Sequence, residues 1–322
     1  MFKYILILIL LAAGGGSYYV YSPVAPPSVP FEFVLNQGSS LGTVARQFEQ
    51  SGLIESPRLF VAFARAMGRA GKIKAGVYRI DHALSKMELL DMITQGSVSQ
   101  NQVTIIEGWS FPQLRAQLDA NPYIRHDTQG LTDAQILRRI GAAESHPEGL
   151  FFPDTYFVAA GSSDIELLKY AYRMLQQHLN DAWAARDANL PLSDPYQALI
   201  LASIVEKETG APADRPMIAG VFVNRLRIHM MLQTDPAVIY GLGSKFDGNL
   251  RRADLLADTP YNTYTRQGLP PTPISMPGLA ALNAALHPAK TDALYFVARG
   301  DGTSKFSSSL DAHNRAVNQY QK

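Results

Sequence analysis

The first 21 residues constrain this 322-residue chain most. Lys3 precedes an uncharged apolar run, residues 4–13, which passes through Gly14, Gly15 and Gly16 into Ser17, Tyr18, Tyr19, Val20 and Tyr21. A helix needs about 20 mostly apolar residues to cross a bilayer, and residues 4–21 almost reach that length with no internal charge. Tyr18, Tyr19 and Tyr21 stand where an aromatic belt meets the far interface, and Lys3 favours a cytoplasmic N-terminus. The competing reading is a cleaved signal peptide, for which the small residues at 12–16 offer a cut site. Both readings export the rest of the chain. We expect a retained anchor over residues 1–21, because the tyrosines extend the span beyond a usual signal core.

The remaining sequence is that of a folded protein: 47% of the chain is hydrophobic and 18% charged, unlike a disordered tail. The formal net charge of +1 lacks the basic surplus of nucleic-acid readers, so no nucleic-acid partner is expected. The absence of cysteine excludes disulfides, thiolate catalysis, Cys-based zinc sites and a lipoprotein anchor. The seven histidines show no ligand spacing such as HExxH. Neither a metal nor any other cofactor is called for.

Residues 22–30 (SPVAPPSVP) form a proline-rich spacer, expected to be extended and semi-rigid. A small module then covers residues 31–102. Its pattern is a strand at 31–35 and a helix at 40–51 with Leu41, Val44, Ala45 and Phe48 on one face. A helix opened by Ser56 and Pro57 leads to Gly68, a strand follows at 76–80 (GVYRI), and a last helix opens on a Ser85/Glu88 capping box. This order resembles a LysM-like subdomain, a type that often binds glycan; a plain α+β spacer domain fits equally. Residues 103–322 make a larger, mainly helical domain. Helices are expected at 111–118, 133–142, 165–186, 195–208, 216–227 and 277–286, and strands at 103–107 and 293–298. No βαβ alternation or internal repeat is present. The fold class is therefore α+β.

The stretch with chemical content is DPYQALILASIVEKETG, residues 194–210. Asp194 is a good N-cap, Pro195 fits the first turn and Gln197 occupies the capping-box position; Gly210 reads as a stop. Glu206 and Glu208 close the helix. Two residues apart, they point to nearly opposite sides. Glu208 shares the apolar face of Ile200, Leu201, Ile204 and Val205, whereas Glu206 follows a mixed face of smaller residues. Desolvation and the negative end of the helix dipole would both raise the Glu208 carboxyl, and a carboxyl protonated near neutral pH can protonate a glycosidic leaving oxygen. By themselves, two glutamates in a final turn are more often solvated surface residues.

The wider sequence changes that balance. ASIVEKE (202–208) is followed by VFVNRLRIHMMLQTDPAVIYGLG (221–243), YNTYTRQGLPPTPISMPG (261–278), HPAKTDALYFVARGDG (287–302) and FSSSLDAHN (306–314), and is preceded by EGLFFPDTY (148–156). This ordered series resembles the endolytic murein transglycosylases, the MltG or YceG-like family, over nearly the whole chain. The resemblance implies a lyase that cleaves the MurNAc–GlcNAc bond of peptidoglycan, with Glu208 as acid and then base, leaving a 1,6-anhydroMurNAc end. It further implies an inner-membrane protein with a periplasmic body, acting on (nascent) glycan strands beside peptidoglycan synthases.

Further candidates are weaker. Gln233, Thr234 and Asp235 precede Pro236 on a loop that could serve the site, although Asp235 also suits a helix N-cap. Tyr261, Asn262, Thr263 and Tyr264 offer hydroxyl, amide and ring surfaces suited to sugars, or a structural turn. Asn224 and Arg225 could brace the site. Glu148 and Asp154 flank Phe151 and Phe152 and could line a glycan groove or simply build a turn. Two rival functions stay open: a hydrolytic muramidase, which would need a second carboxylate such as Asp154 or Asp235, and a non-catalytic glycan-binding scaffold of the wall-synthesis machinery.

Overall fold

The computed structural model describes residues 14–29, 31–35, 38–74, 76–80, 82–96, 101–158 and 161–321. The apolar run at 4–13 lies outside them; residues 14–21 are helical. Among the described residues no helix is long and apolar enough to cross a membrane. The fold is α+β, with many helices and small two-stranded sheets. It divides into two compact units, one built from residues 1–103, 121–126 and 157–164, the other from 104–120, 127–156 and 165–322.

The first unit contains β1 (Pro23–Val24), β2 (Phe31–Leu35), α1 (Leu41–Gln50), α2 (Pro57–Ala66), β3 (Gly76–Ile80), β4 (Leu84–Ser85) and α3 (Lys86–Asp91). The antiparallel β2–β3 register sets Phe33 opposite Tyr78, and their rings stack at 5.3 Å. Phe48 on α1 meets Phe33 edge-on at 5.0 Å and Phe60 on α2 at 5.8 Å, so one aromatic cluster joins the sheet to both helices. Ser40 caps α1 by accepting the Thr43 N–H, and Ser85 and Glu88 complete the capping box of α3. Ser56 precedes α2 without a side-chain cap bond, leaving Pro57 as the local start signal. The start of the proline-rich stretch pairs with the rest of this unit. Pro23 and Val24 pair with Ser85 and Leu84, and Lys86 donates to the Ser22 hydroxyl at 3.0 Å.

The second unit takes in the chain from the end of β5 (Asn101–Thr104) through α4 (Phe111–Asp119), α5 (Asp133–Ile140), the start of β6 (Thr155–Val158), α6 (Asp164–Ala184), α7 (Pro195–Glu208), α8 (Arg215–Arg227), α9 (Asp235–Leu242), α10 (Arg252–Leu256), α11 (Leu279–Leu286), β7 (Tyr295–Ala298), β8 (Ser304–Ser307) and α12 (Leu310–Tyr320). Helix α7 is its axis. Every residue from Ala198 to Val205 is buried, so this stretch of the helix has no solvent face and must be covered on all sides. Helices α8, α9 and α11 pack against it. On α11, Ala281, Ala284 and Ala285 are buried, and small side chains permit close approach of helix backbones. Gly220 on α8 has the same basis: a Cβ there would lie 2.7 Å from the Ala289 carbonyl oxygen.

Ser203 sits in the middle of this apolar helix and is fully buried. Its hydroxyl donates to the Ile200 carbonyl at 2.7 Å and accepts the Ile274 N–H at 3.0 Å, while its carbonyl accepts the Ser275 hydroxyl at 3.1 Å. A residue unremarkable in the sequence thus ties the loop before α11 to α7.

Several local expectations shift. The strand expected at 103–107 is Asn101–Thr104. The helix expected from 277 starts at Leu279 with Gly278 as its N-cap. Gln197 does not close a box on Asp194; it accepts the Ser193 N–H at 3.0 Å, and Asp194 accepts the Gln197 N–H at 2.9 Å. Helix α7 ends because Thr209 turns extended (φ −151°, ψ 136°), before Gly210 is reached. Strands β6 and β8 and helix α12 had no counterpart in the sequence reading. We expect Ser203→Ala to leave the buried Ile274 N–H unpaired and lower stability by about 1–3 kcal/mol, measured by urea unfolding of the full chain.

Candidate active site

The two glutamates at the end of α7 have different surroundings. Glu206 accepts the Gly278 N–H at 3.0 Å and lies 3.6 Å from the Arg215 guanidinium. Burial pushes its carboxyl above the ordinary range. It holds the start of α11, where even a methyl group at Gly278 would collide with the Glu107 carboxyl.

Glu208 lies on the other side of the helix and accepts the Thr234 hydroxyl proton at 2.5 Å. Burial is the main reason its carboxyl is pushed up to about 7. The Thr234 hydrogen bond opposes that rise, the Asp235 charge adds to it, and the Arg225 charge opposes it. A carboxyl at about 7 holds its proton on about half the molecules at neutral pH, so it can both give and take one.

Thr234 is buried and firmly held. Its N–H donates to the Thr263 hydroxyl at 2.9 Å, and that hydroxyl donates to the Thr234 carbonyl at 3.3 Å. The Gln233 N–H donates to the Thr263 carbonyl at 3.0 Å, with Gln233 in the left-handed region at φ 47°. One residue further on, Asp235 accepts the Tyr264 hydroxyl at 2.5 Å. The loops at 233–235 and 261–264 are therefore stitched together and jointly position one hydroxyl on Glu208.

Glu208, Arg225, Gln233, Asp235 and Tyr264 line an open cleft of about 560 Å³. The other wall comes from β7, β8 and α12, including Tyr295, Phe296, Ser304 and His313. Arg225 is nearly inaccessible and donates to the carbonyls of Leu294, Leu232 and Met231 at 2.7, 2.7 and 3.3 Å. Its guanidinium stands 5.3 Å from the Tyr295 ring centre, against which His313 stacks at 5.2 Å. Burial, helped by the Arg225 charge, lowers the His313 pKa, so the imidazole is neutral at pH 7.

Gln233, Asp235 and Tyr264 thus share the cleft with Glu208, and Thr234 touches it directly. Tyr261, Asn262 and Thr263 act as scaffolding. The Asn262 amide donates to the carbonyls of Ala257, Leu255 and Asp254 and accepts the Tyr264 N–H, and the Tyr261 hydroxyl pairs with that of Thr272 at 2.8 Å. Glu148 lies outside the cleft lining. It is fully buried, and both its oxygens accept the Phe111 N–H at the start of α4, at 3.0 and 3.1 Å. Burial pushes its carboxyl to about 7 as well. Asp154 caps its own turn by accepting the Thr155 N–H, and Asn224 donates to the carbonyls of Thr291 and Ala293. Among the described residues no group of three His, Asp or Glu could hold a metal ion. Tyr295 and His313 were not singled out from the sequence; the only signal for them was their position in the blocks at 287–302 and 306–314.

A carboxyl raised by burial, fixed by a buried hydroxyl at an open cleft, has the attributes a general acid/base needs, on an α+β scaffold. The chain matches the family model described as the YceG-like family over residues 33–319 and belongs to that family. It is 32% identical over 301 residues to the endolytic murein transglycosylase of Bacillus subtilis (strain 168), covering 88% of this chain and 82% of that protein. It is 27% identical over 319 residues to the endolytic murein transglycosylase of Streptococcus pneumoniae serotype 2, covering 88% of this chain but 57% of that longer protein. The crystal structure of a YceG-like protein from Listeria monocytogenes superposes with a TM-score of 0.59 at 28% identity, covering 89% of this chain and 98% of the other.

Thr234→Val removes a bond that favours the charged form of Glu208. The Glu208 carboxyl should then titrate higher than in the wild type, measured by carbon NMR of the labelled side chain.

Proposed function

We propose that this protein is an endolytic murein transglycosylase, a lyase that cuts the MurNAc–GlcNAc bond of peptidoglycan and leaves a 1,6-anhydroMurNAc end. The observation that carries this reading is Glu208: largely buried, raised to about 7, held by Thr234 and opening on a cleft of about 560 Å³. Two relatives bearing that name support it.

The chemistry follows from one carboxyl used twice. Protonated Glu208 gives its proton to the glycosidic oxygen as the bond from that oxygen to the muramoyl anomeric carbon breaks. The carboxylate so formed takes the proton of the muramoyl 6-hydroxyl, whose oxygen closes on the anomeric carbon. Glu208 ends protonated, and no water is consumed. A carboxyl near 7 suits both half-reactions, since neither proton transfer is far uphill.

The apolar run after Lys3 anchors the protein in the inner membrane, with the folded body in the periplasm. The β2–α1–α2–β3 arrangement serves as a LysM-like glycan-binding module, and nascent strands close to peptidoglycan synthases are the substrate. Deleting residues 1–21 should move the protein from the membrane to the soluble fraction; unchanged sedimentation with membranes would count against the anchor.

Wild type and Glu208→Gln, incubated with purified peptidoglycan and followed by mass spectrometry, test the activity. We expect anhydro ends from the wild type and a loss of roughly 10²–10⁴-fold in rate for the variant, with unchanged circular dichroism. Because the protonated form starts the reaction, kcat/KM should fall as pH rises through about 7. Products heavier by one water, with reducing muramic ends, would establish the hydrolytic reading instead, for which Asp235 in the same cleft supplies a second carboxylate.

A further inference from the structure

Of the two aspartates that the sequence offers as a second carboxylate, Asp154 and Asp235, the fold brings Asp235 into the Glu208 cleft. Asp235 follows Thr234, the residue bonded to Glu208, and lines the same cavity. It occupies the first position of α9, with Thr234 as the N-cap, where the positive end of the helix dipole favours an anion. It is exposed to the cleft, and one of its oxygens is fixed by the Tyr264 hydroxyl at 2.5 Å. Tyr264 is in turn anchored through its N–H, which donates to Asn262 at 2.9 Å. The side chain of Asn262 makes three further bonds to backbone carbonyls. A surface aspartate does not need such a support; a carboxylate that must keep its place beside a reacting atom does.

The two carboxyls are set up differently. Glu208 is desolvated and accepts one hydroxyl, whereas Asp235 faces open solvent and accepts a phenol held on a rigid loop. Pairs of carboxyls whose environments diverge in this way divide the acid role from the charged role. The basic groups near the pair are Arg225, whose guanidinium is committed to the carbonyls of Leu294, Leu232 and Met231, and His313 across the cleft, whose pKa is lowered by burial. Asp235 is therefore the carboxyl among the lining residues, besides Glu208 itself, available to oppose a positive charge in the cavity.

We propose, resting on the transglycosylase reading above, that Asp235 is the catalytic carboxylate that faces the positive charge developing at the muramoyl anomeric carbon, and that Tyr264 is its positioning residue. As Glu208 gives its proton to the departing oxygen, the carbon–oxygen bond breaks and the sugar becomes oxocarbenium-like. Asp235 stabilises that cation without forming a bond or moving a proton. The 6-hydroxyl then attacks, its proton returns to Glu208, and the charge at carbon disappears.

The test uses the full chain in detergent with purified glycan strands, comparing wild type, Asp235→Asn, Asp235→Glu, Tyr264→Phe and Glu208→Gln. Asp235→Asn should lower kcat by roughly 10²–10³-fold, the usual scale for losing one aligned electrostatic group, with KM nearly unchanged and Asp235→Glu recovering part of the loss. The same substitution removes a negative charge that holds Glu208 up, so the alkaline limb of the rate profile should also move to lower pH; the loss in kcat at constant KM and its partial recovery by Asp235→Glu are what a merely structural role would not give. Tyr264→Phe should lower kcat less and leave the anhydro product intact, and it decides the matter if Asp235→Asn fails to fold. An Asp235→Asn variant with kcat within about two-fold of wild type, or one whose loss lies in KM, overturns the proposal. So do reducing ends in the wild-type digest, since they would make Asp235 a base toward water. Cleavage persisting in Glu208→Gln would instead remove the underlying transglycosylase reading.

Discussion

Burial of the middle of α7 on every side is the constraint from which the second unit is built. From Ala198 to Val205 the helix offers no residue to solvent, so α8, α9 and α11 must close around it. Desolvating the Ser203 hydroxyl would be costly without partners, and that hydroxyl meets the cost by bonding to Ile200 and Ile274. The same burial carries the helix end, with two glutamates, to the edge of the core. There a carboxyl is dry enough to hold a proton and still open to a cleft.

Glu206 and Glu208 illustrate how environment assigns roles to identical side chains. Burial raises both, so a displaced pKa alone does not mark the acid. Glu206 is spent on a backbone N–H and an arginine and serves as a brace. Glu208 receives one hydroxyl and faces a cavity. Glu148 makes the same point from another direction. It is raised as far as Glu208 but is fully buried against the start of α4, where no substrate can reach it. Access, and not the shift, separates a carboxyl that a substrate can reach from a structural one.

Much of the architecture was legible where local chemistry sets it. Asp194 and Pro195 start α7 where capping rules put the start. Ser40, Ser85 and Glu88 cap their helices through bonds within one turn, and the apolar face of α1 is the buried one. What could not be read was set by partners distant in sequence. The SKFS segment of β8 has little apolar pattern and becomes a strand by pairing with β7. Helix α12 packs on that hairpin, and through it His313 joins the cleft.

The sequence by itself determined that a helix over residues 195–208 ends in two glutamates on opposite sides, with Glu208 on the apolar one, because a rotation of about 100° per residue fixes that geometry. It also carried the family resemblance. Only the tertiary structure decided what each carboxyl touches: Thr234 for Glu208, Gly278 and Arg215 for Glu206, Tyr264 for Asp235. It likewise separated Gln233, Asp235 and Tyr264, which line the cleft, from Tyr261, Asn262 and Thr263, which hold its loops. The reason is physical. A side chain's direction follows from its own backbone, whereas its hydrogen-bond partner and its solvent exposure depend on segments dozens of residues away that only folding brings near.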